Sequence, residues 1–120
     1  MSIVSNALLS EQEVIIRESA RRVATEVVAG TAAERDRSGA WPHDEIKAVA
    51  EVGFMGMLAP EAHGGSGLSF VEYCLAIEEF AAADGGFATM MHVHNSAAHV
   101  LRTFGTEAQM ARYLPGLASG

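Results

Sequence analysis

The sequence is poor in cysteine, lysine, proline and aromatic residues. It holds one cysteine, Cys74, in 120 residues, so no disulfide can close within the chain. Set among apolar residues, Cys74 reads as a small buried hydrophobe, and a reducing, cytoplasmic setting is expected. A single lysine, Lys47, and scattered arginines give 8 bases against 15 acids and a net charge of −7. No basic stripe forms, which argues against nucleic acid and against an anionic membrane surface as partners. No apolar run approaches the ~18 residues of a membrane span. The opening, Met1–Asn6, lacks the basic and apolar regions of a secretory leader. Internal repeats are absent, and strand-like alternation is confined to 54–58.

What is present is globular and helical. Hydrophobic residues make up 49% and charged residues 19%, a balance that supports a packed core. The length fits a single domain over 1–120. Ser10 and Glu13 form a capping box, followed by Ile16, Ala20, Val23 and Val27 on one helical face. Asp36–Gly39 reads as a turn. Pro42 suits the start of a second helix with Ile46, Val49 and Ala50 inward, and Gly53 a left-handed end. Ser69 and Glu72 form a second box. The helix after it is assigned a stripe of Phe70, Cys74, Ile77 and Ala81, widened by Tyr73 and Phe80. Asp84 caps a fourth helix over about 87–103. Thr106 and Gln109 open a short fifth, limited by Pro115. The expected fold class is all-α, a bundle of about five helices.

Few residues suggest chemistry of their own. His92, His94 and His99 share the fourth helix, but not at the i, i+4 spacing of a helical metal site, so no metal is assigned. His92, Asn95, Ser96, His99 and Thr103 make a polar face read as solvated or interdomain. His94 lies in the apolar arc and is read as a satisfied core histidine. Glu78, also in an apolar arc, reads as a semi-buried carboxylate with a structural partner. Gly64-Gly65-Ser66-Gly67 has the look of an anion cradle but lacks the lysine and hydroxyl of a P-loop, and is read as a loop. No nucleophile, base and acid stand in a catalytic arrangement.

Four blocks, in order, carry a resemblance. They are Asp36-Arg37-Ser38-Gly39-Ala40-Trp41-Pro42; Ala50-Glu51-Val52-Gly53 through Pro60-Glu61-Ala62-His63-Gly64-Gly65-Ser66-Gly67-Leu68; Ile77-Glu78-Glu79-Phe80-Ala81-Ala82-Ala83-Asp84; and Phe104-Gly105-Thr106-Glu107-Ala108-Gln109 with Tyr113-Leu114-Pro115-Gly116-Leu117-Ala118-Ser119-Gly120. Over about residues 8 to 120 the chain resembles the N-terminal helical domain of acyl-CoA dehydrogenases.

The resemblance implies the rest. Such enzymes use FAD to oxidise an acyl-CoA thioester to the 2,3-enoyl-CoA: a glutamate takes the α-proton and flavin N5 the β-hydride. They are homotetramers that pass electrons to an electron-transfer flavoprotein or a similar acceptor. Their β-rich middle and helical C-terminal domains hold the flavin and the catalytic glutamate. Both are expected to be missing here, so no catalytic or cofactor-binding residue is assigned, and neither Glu78 nor Glu79 is that base. Anchored on His94-Asn95-Ser96, the family's acyl-pocket wall maps to Ala88, Thr89, Met90 and Val93. These small, apolar residues suit an uncharged acyl chain, and Ala88 stands where relatives handling dicarboxylic acyl groups carry arginine. Met110 stands where lysine is common, and the stretch from Ser96 to Phe104 looks one residue shorter than usual. Same-fold acyl-CoA oxidase or flavin monooxygenase chemistry is an alternative, as is a stand-alone helical interaction module.

Overall fold

The computed structural model describes residues 8–120. The reading of Met1–Asn6 as free of a leader falls outside them. Among the described residues there are six α-helices and no strand. The five expected helices are all present, with one short addition.

Helix α1, Glu11–Val23, starts at its capping box: the Glu13 amide donates to Ser10 Oγ at 3.2 Å and the Ser10 amide to the Glu13 carboxylate at 2.7 Å. The chain then loosens into a π turn, Ala24–Val28, and a 3₁₀ turn, Ala29–Thr31. Helix α2, Ala32–Ser38, follows where a turn was expected over Asp36–Gly39. Only Gly39 turns, at φ 68°, because the left-handed conformation suits glycine and ends the helix. Helix α3 is His43–Glu51, and Gly53 follows it at φ 90°.

From Phe54 to Ala59 the chain is buried with a single 3₁₀ turn, rather than a strand. A glycine-rich loop returns over it to Ser69, whose box with Glu72 starts α4, Phe70–Ala83. Asp84 ends α4 and caps α5, Gly85–Phe104, accepting from the Phe87 amide at 3.0 Å. The Thr106–Gln109 box starts α6, Glu107–Ser119. This helix runs through Pro115 instead of stopping there. The lost hydrogen bond costs about 3 kcal/mol, but Leu114 and Ala118 on either side are buried against Ala59 and Ala98, which offsets it.

The main core joins α1, α4 and α5. Ala20 and Ala24 face Ala76, all buried, and such small residues let helices approach closely. Phe80 lies at its centre, edge-on to Phe54 at 5.3 Å and stacked near Phe87 at 6.3 Å.

The buried face of α4 is therefore Tyr73, Leu75, Ala76 and Phe80; of the expected stripe, Tyr73 and Phe80 lie in the core and Ile77 packs against it, whereas Phe70, Cys74 and Ala81 are exposed. Cys74 is exposed, as is Glu78, so neither is the buried group it was read to be. The reason is physical. This helix is apolar on most sides, so periodicity permits either face. The choice is made by α1, whose Arg21 holds Glu79 through two hydrogen bonds of 3.0 and 2.8 Å.

Phe80→Ala should therefore lower unfolding free energy by about 3–5 kcal/mol, whereas Cys74→Ser should change it by less than about 0.5 kcal/mol. Urea denaturation of both variants checks this. The Cys74 thiol should also react with a thiol reagent without denaturant; the opposite pattern would put the Cys74 face in the core.

Candidate functional site

The start of α5 is held by charge. Arg35 of α2 donates to Asp84 Oδ2 from Nη2 at 2.6 Å, to Glu45 Oε1 of α3 from Nη1 at 2.8 Å and to the Val28 carbonyl at 2.9 Å. Its guanidinium also lies 5.7 Å from the Phe87 ring centre, within cation–π range. One arginine thus binds three helices at the point where α5 begins. Burial, the largest influence on Asp84, pushes its carboxyl up; the Phe87 amide and Arg35 outweigh it and leave it below the ordinary range. A hydrogen bond from Thr31 is the main cause that lowers Glu45.

Beyond that anchor, α5 presents an open side. Gly86, Thr89, Met90, Val93 and His94 face Trp41 across a groove of about 480 Å³. The Thr89 hydroxyl is turned back onto the Gly85 carbonyl at 2.9 Å, and Val93 is 63% exposed. The four residues mapped to an acyl-pocket wall divide accordingly. Thr89, Met90 and Val93 lie on the groove. Ala88 is 4% exposed and packs into the core, on another side of the helix.

The three histidines of α5 point apart. His94 Nε2 is 2.6 Å from the Leu117 carbonyl. A carbonyl only accepts, so this nitrogen carries the proton, and the bond ties the groove wall to the last turn of α6. His92 Nδ1 meets the Tyr73 hydroxyl at 2.6 Å, and burial raises the pKa of that phenol. His99 packs edge-on to Phe70 at 5.1 Å. Among the described residues, no group of three or more His, Cys, Asp or Glu is placed to hold a metal ion.

Asn95, assigned to a polar face read as solvated or interdomain, is instead fully buried within the domain. Its amide nitrogen donates to the Phe54 carbonyl at 3.2 Å and its oxygen accepts from the Leu58 amide at 3.3 Å. The residue clamps α5 to the buried segment beneath it. Arg102 adds a bond to the Leu58 carbonyl at 3.3 Å.

The glycine-rich loop offers no anion cradle. The amides of Gly64, Gly65, Ser66, Gly67 and Leu68 donate to the carbonyls of Glu61, Pro60, Gly56, Ala59 and Met57, leaving none for a phosphate. The loop therefore gives a flavin pyrophosphate nothing to hold.

Residues 10–120 match the family described as "Acyl-CoA dehydrogenase, N-terminal domain". The chain belongs to the acyl-CoA dehydrogenase family. This acyl-CoA dehydrogenase domain is 34% identical over 122 residues to the mitochondrial isovaleryl-CoA dehydrogenase of Oryza sativa, covering 99% of this chain and 30% of that protein. Among solved structures it superposes on glutaryl-CoA dehydrogenase from Mycobacterium smegmatis with a TM-score of 0.87 and 32% identity, over 95% of this chain and 30% of that one. A chain from the electron transferring flavoprotein structure of Acidaminococcus fermentans gives 0.87 and 34%, over 100% and 31%. The chain thus spans about 30% of the length of the curated relatives it matches. No helix among the described residues is long and apolar enough to cross a membrane.

The Arg35–Asp84 anchor has a pH signature. A carboxyl held below its ordinary value contributes stability above the unfolded pKa and loses it as pH falls through the folded one. Asparagine also caps helices well. Asp84→Asn should therefore lower stability near neutral pH and flatten the loss seen below about pH 4. Denaturant midpoints measured across that range, with Asp84→Asn as steep as the wild type, would contradict the coupling.

Proposed function

We propose that this chain is the N-terminal helical domain of an FAD-dependent enzyme that oxidises an acyl-CoA thioester to its 2,3-enoyl-CoA, and that the open side of α5 is one wall of the acyl pocket. The observation that carries the reading is the groove itself. It has the volume of a small-molecule site, and Trp41, Gly86, Thr89, Met90, Val93 and His94 bring no lysine, arginine or carboxylate to it. An uncharged acyl chain suits such a wall, since burying a carboxylate without a partner is costly. Thr89, Met90 and Val93 touch the chain; Ala88 backs them from the core. Support for an uncharged substrate thus rests on the groove lining and not on Ala88.

The flavin is assigned to a β-rich middle domain and a helical C-terminal domain, together with the glutamate that removes the α-proton. The glycine-rich loop, whose amides are taken by backbone carbonyls, does not fit a flavin cradle. A homotetramer in the cytoplasm, passing electrons to an electron-transfer flavoprotein, completes the proposal. Its supports are the family, the lone cysteine and the likeness to the Acidaminococcus fermentans chain.

Two outcomes are expected. The 120-residue chain, mixed with acyl-CoA, FAD and an acceptor dye, should reduce no dye above a protein-free control; turnover would mean that it holds a complete site. In the flavin-loaded enzyme, Val93→Phe should shift preference toward shorter acyl chains, because each excluded methylene is worth about 1–3 kcal/mol. An unchanged ratio of kcat/KM between long and short substrates would place the acyl chain elsewhere.

A further inference from the structure

Three hollows run along the same side of α5. One is the groove of about 480 Å³ already described. A second, of about 350 Å³, lies toward His43, Ile46 and Lys47 of α3 and is closed by Met55 and the chain end at Ser119 and Gly120. A third, of about 250 Å³, lies toward Arg35, Asp84 and Phe87. Only Trp41 and Met90 line all three. Met90 comes from α5 itself. Trp41 comes from the connection between α2 and α3, so one side chain from outside α5 borders the groove and both hollows beside it.

The sequence around Trp41 holds it there. Gly39 at φ 68° reverses the chain after α2. The His43 amide donates to the Trp41 carbonyl at 3.0 Å, closing a tight turn around Pro42. The indole is edge-on to His43 at 6.5 Å. Its backbone is therefore fixed, yet the side chain is 60% exposed and packs in no core cluster. A large aromatic in that position contributes little to folding and much to the shape of the space beside it.

We infer that Trp41 sets the length and branching of the acyl group, as the end-stop that keeps the acyl chain out of the neighbouring hollows. This rests on the proposed acyl groove. With the indole removed, the groove opens into both hollows, one bordered by Arg35, Asp36 and Asp84 and the other by His43 and Lys47, with Met90 common to all three. Straight chains longer than the present groove, and branched ones, then gain room and contact, while short chains lose a wall.

The test uses the flavin-loaded enzyme with Trp41→Ala, Trp41→Phe and, as the reference for the groove, Val93→Phe. The measurement is kcat/KM for straight-chain acyl-CoA substrates of increasing length, with flavin content and melting temperature recorded for each variant. Trp41→Ala should raise the ratio of long to short substrates by about tenfold, the scale of a methylene-sized change in an apolar pocket. Trp41→Phe should move it less and in the same sense, and gives the answer if the alanine variant folds poorly. If Val93→Phe shifts the ratio and both Trp41 variants leave it unchanged or reverse it, the groove stands and Trp41 is not its end-stop. If none of the three moves it, the groove is not the acyl site and this inference falls with it.

Discussion

Six consecutive residues of this domain, Phe54 to Ala59, are buried with only one 3₁₀ turn among them. Their amides and carbonyls cannot reach water, and each one left unpaired would cost about 1–3 kcal/mol. The Gly56 amide finds the Gly53 carbonyl at 3.2 Å within the turn, and the other partners come from elsewhere in the fold. The amides of Ser66, Leu68 and Gly67 cover the carbonyls of Gly56, Met57 and Ala59 at 2.8, 2.8 and 3.0 Å. Asn95 serves both Phe54 and Leu58, and Arg102 the Leu58 carbonyl. Losing several of these would consume much of the ~5–15 kcal/mol by which a domain is stable. The loop, the segment and α5 therefore stand or fall together. The fit is close. A Cβ at Gly65 would lie 2.0 Å from the Ala59 carbonyl oxygen, and one at Gly56 2.9 Å from Ala118. The glycine-rich loop is a lid of hydrogen-bond donors for the protein's own backbone, and for that reason it is no phosphate cradle.

A second constraint fixes the direction in which α5 points. Asn95 on one side and the Arg35–Asp84 pair at the start determine which residues turn inward. Phe87, Ala88, Met91 and Ala98 then share the buried arc, and Thr89 and Val93 are left on the outside. The groove is a by-product of a helix held on one side by its core and at one end by charge. Thr89 and Val93 belong to no core cluster, so these groove positions are free to be chosen for a ligand.

The sequence was most legible where structure is local. Three capping boxes and the Asp84 cap each stand where their spacing predicts, because the interacting atoms lie within three residues of each other. It was least legible where a long-range partner decides. Helix α4 has two acceptable apolar faces, and α1 selected the one with Ala76 and Phe80. Asn95 sits beside other polar residues on the helical wheel, and only the distant Phe54 and Leu58 turn it inward. Arg35 and Glu79 likewise acquire their roles from residues 49 and 58 positions away. The groove was reached through family resemblance, which placed Thr89, Met90 and Val93 within a turn of one another. Trp41 borders the groove only through the fold, and no periodicity records what a side chain faces across a space.

Asp84 closes one helix and opens the next with no linker between them. Each residue inserted or deleted in α5 before Asn95 would rotate what precedes it by about 100° relative to the clamp. A deletion would carry Met91 out of the core to the exposed place of His92, and an insertion would carry Thr89 to the buried place of Ala88. The exposed side of α5 can therefore diversify by exchange of side chains but not by changes of length between Asp84 and Asn95. Beyond Arg102, which still bonds the Leu58 carbonyl, the same restriction is looser, because α5 there leads to Gly105 and a fresh cap at Thr106. The domain is thus divided into a stretch where only point changes are tolerated and one where the count of residues can drift.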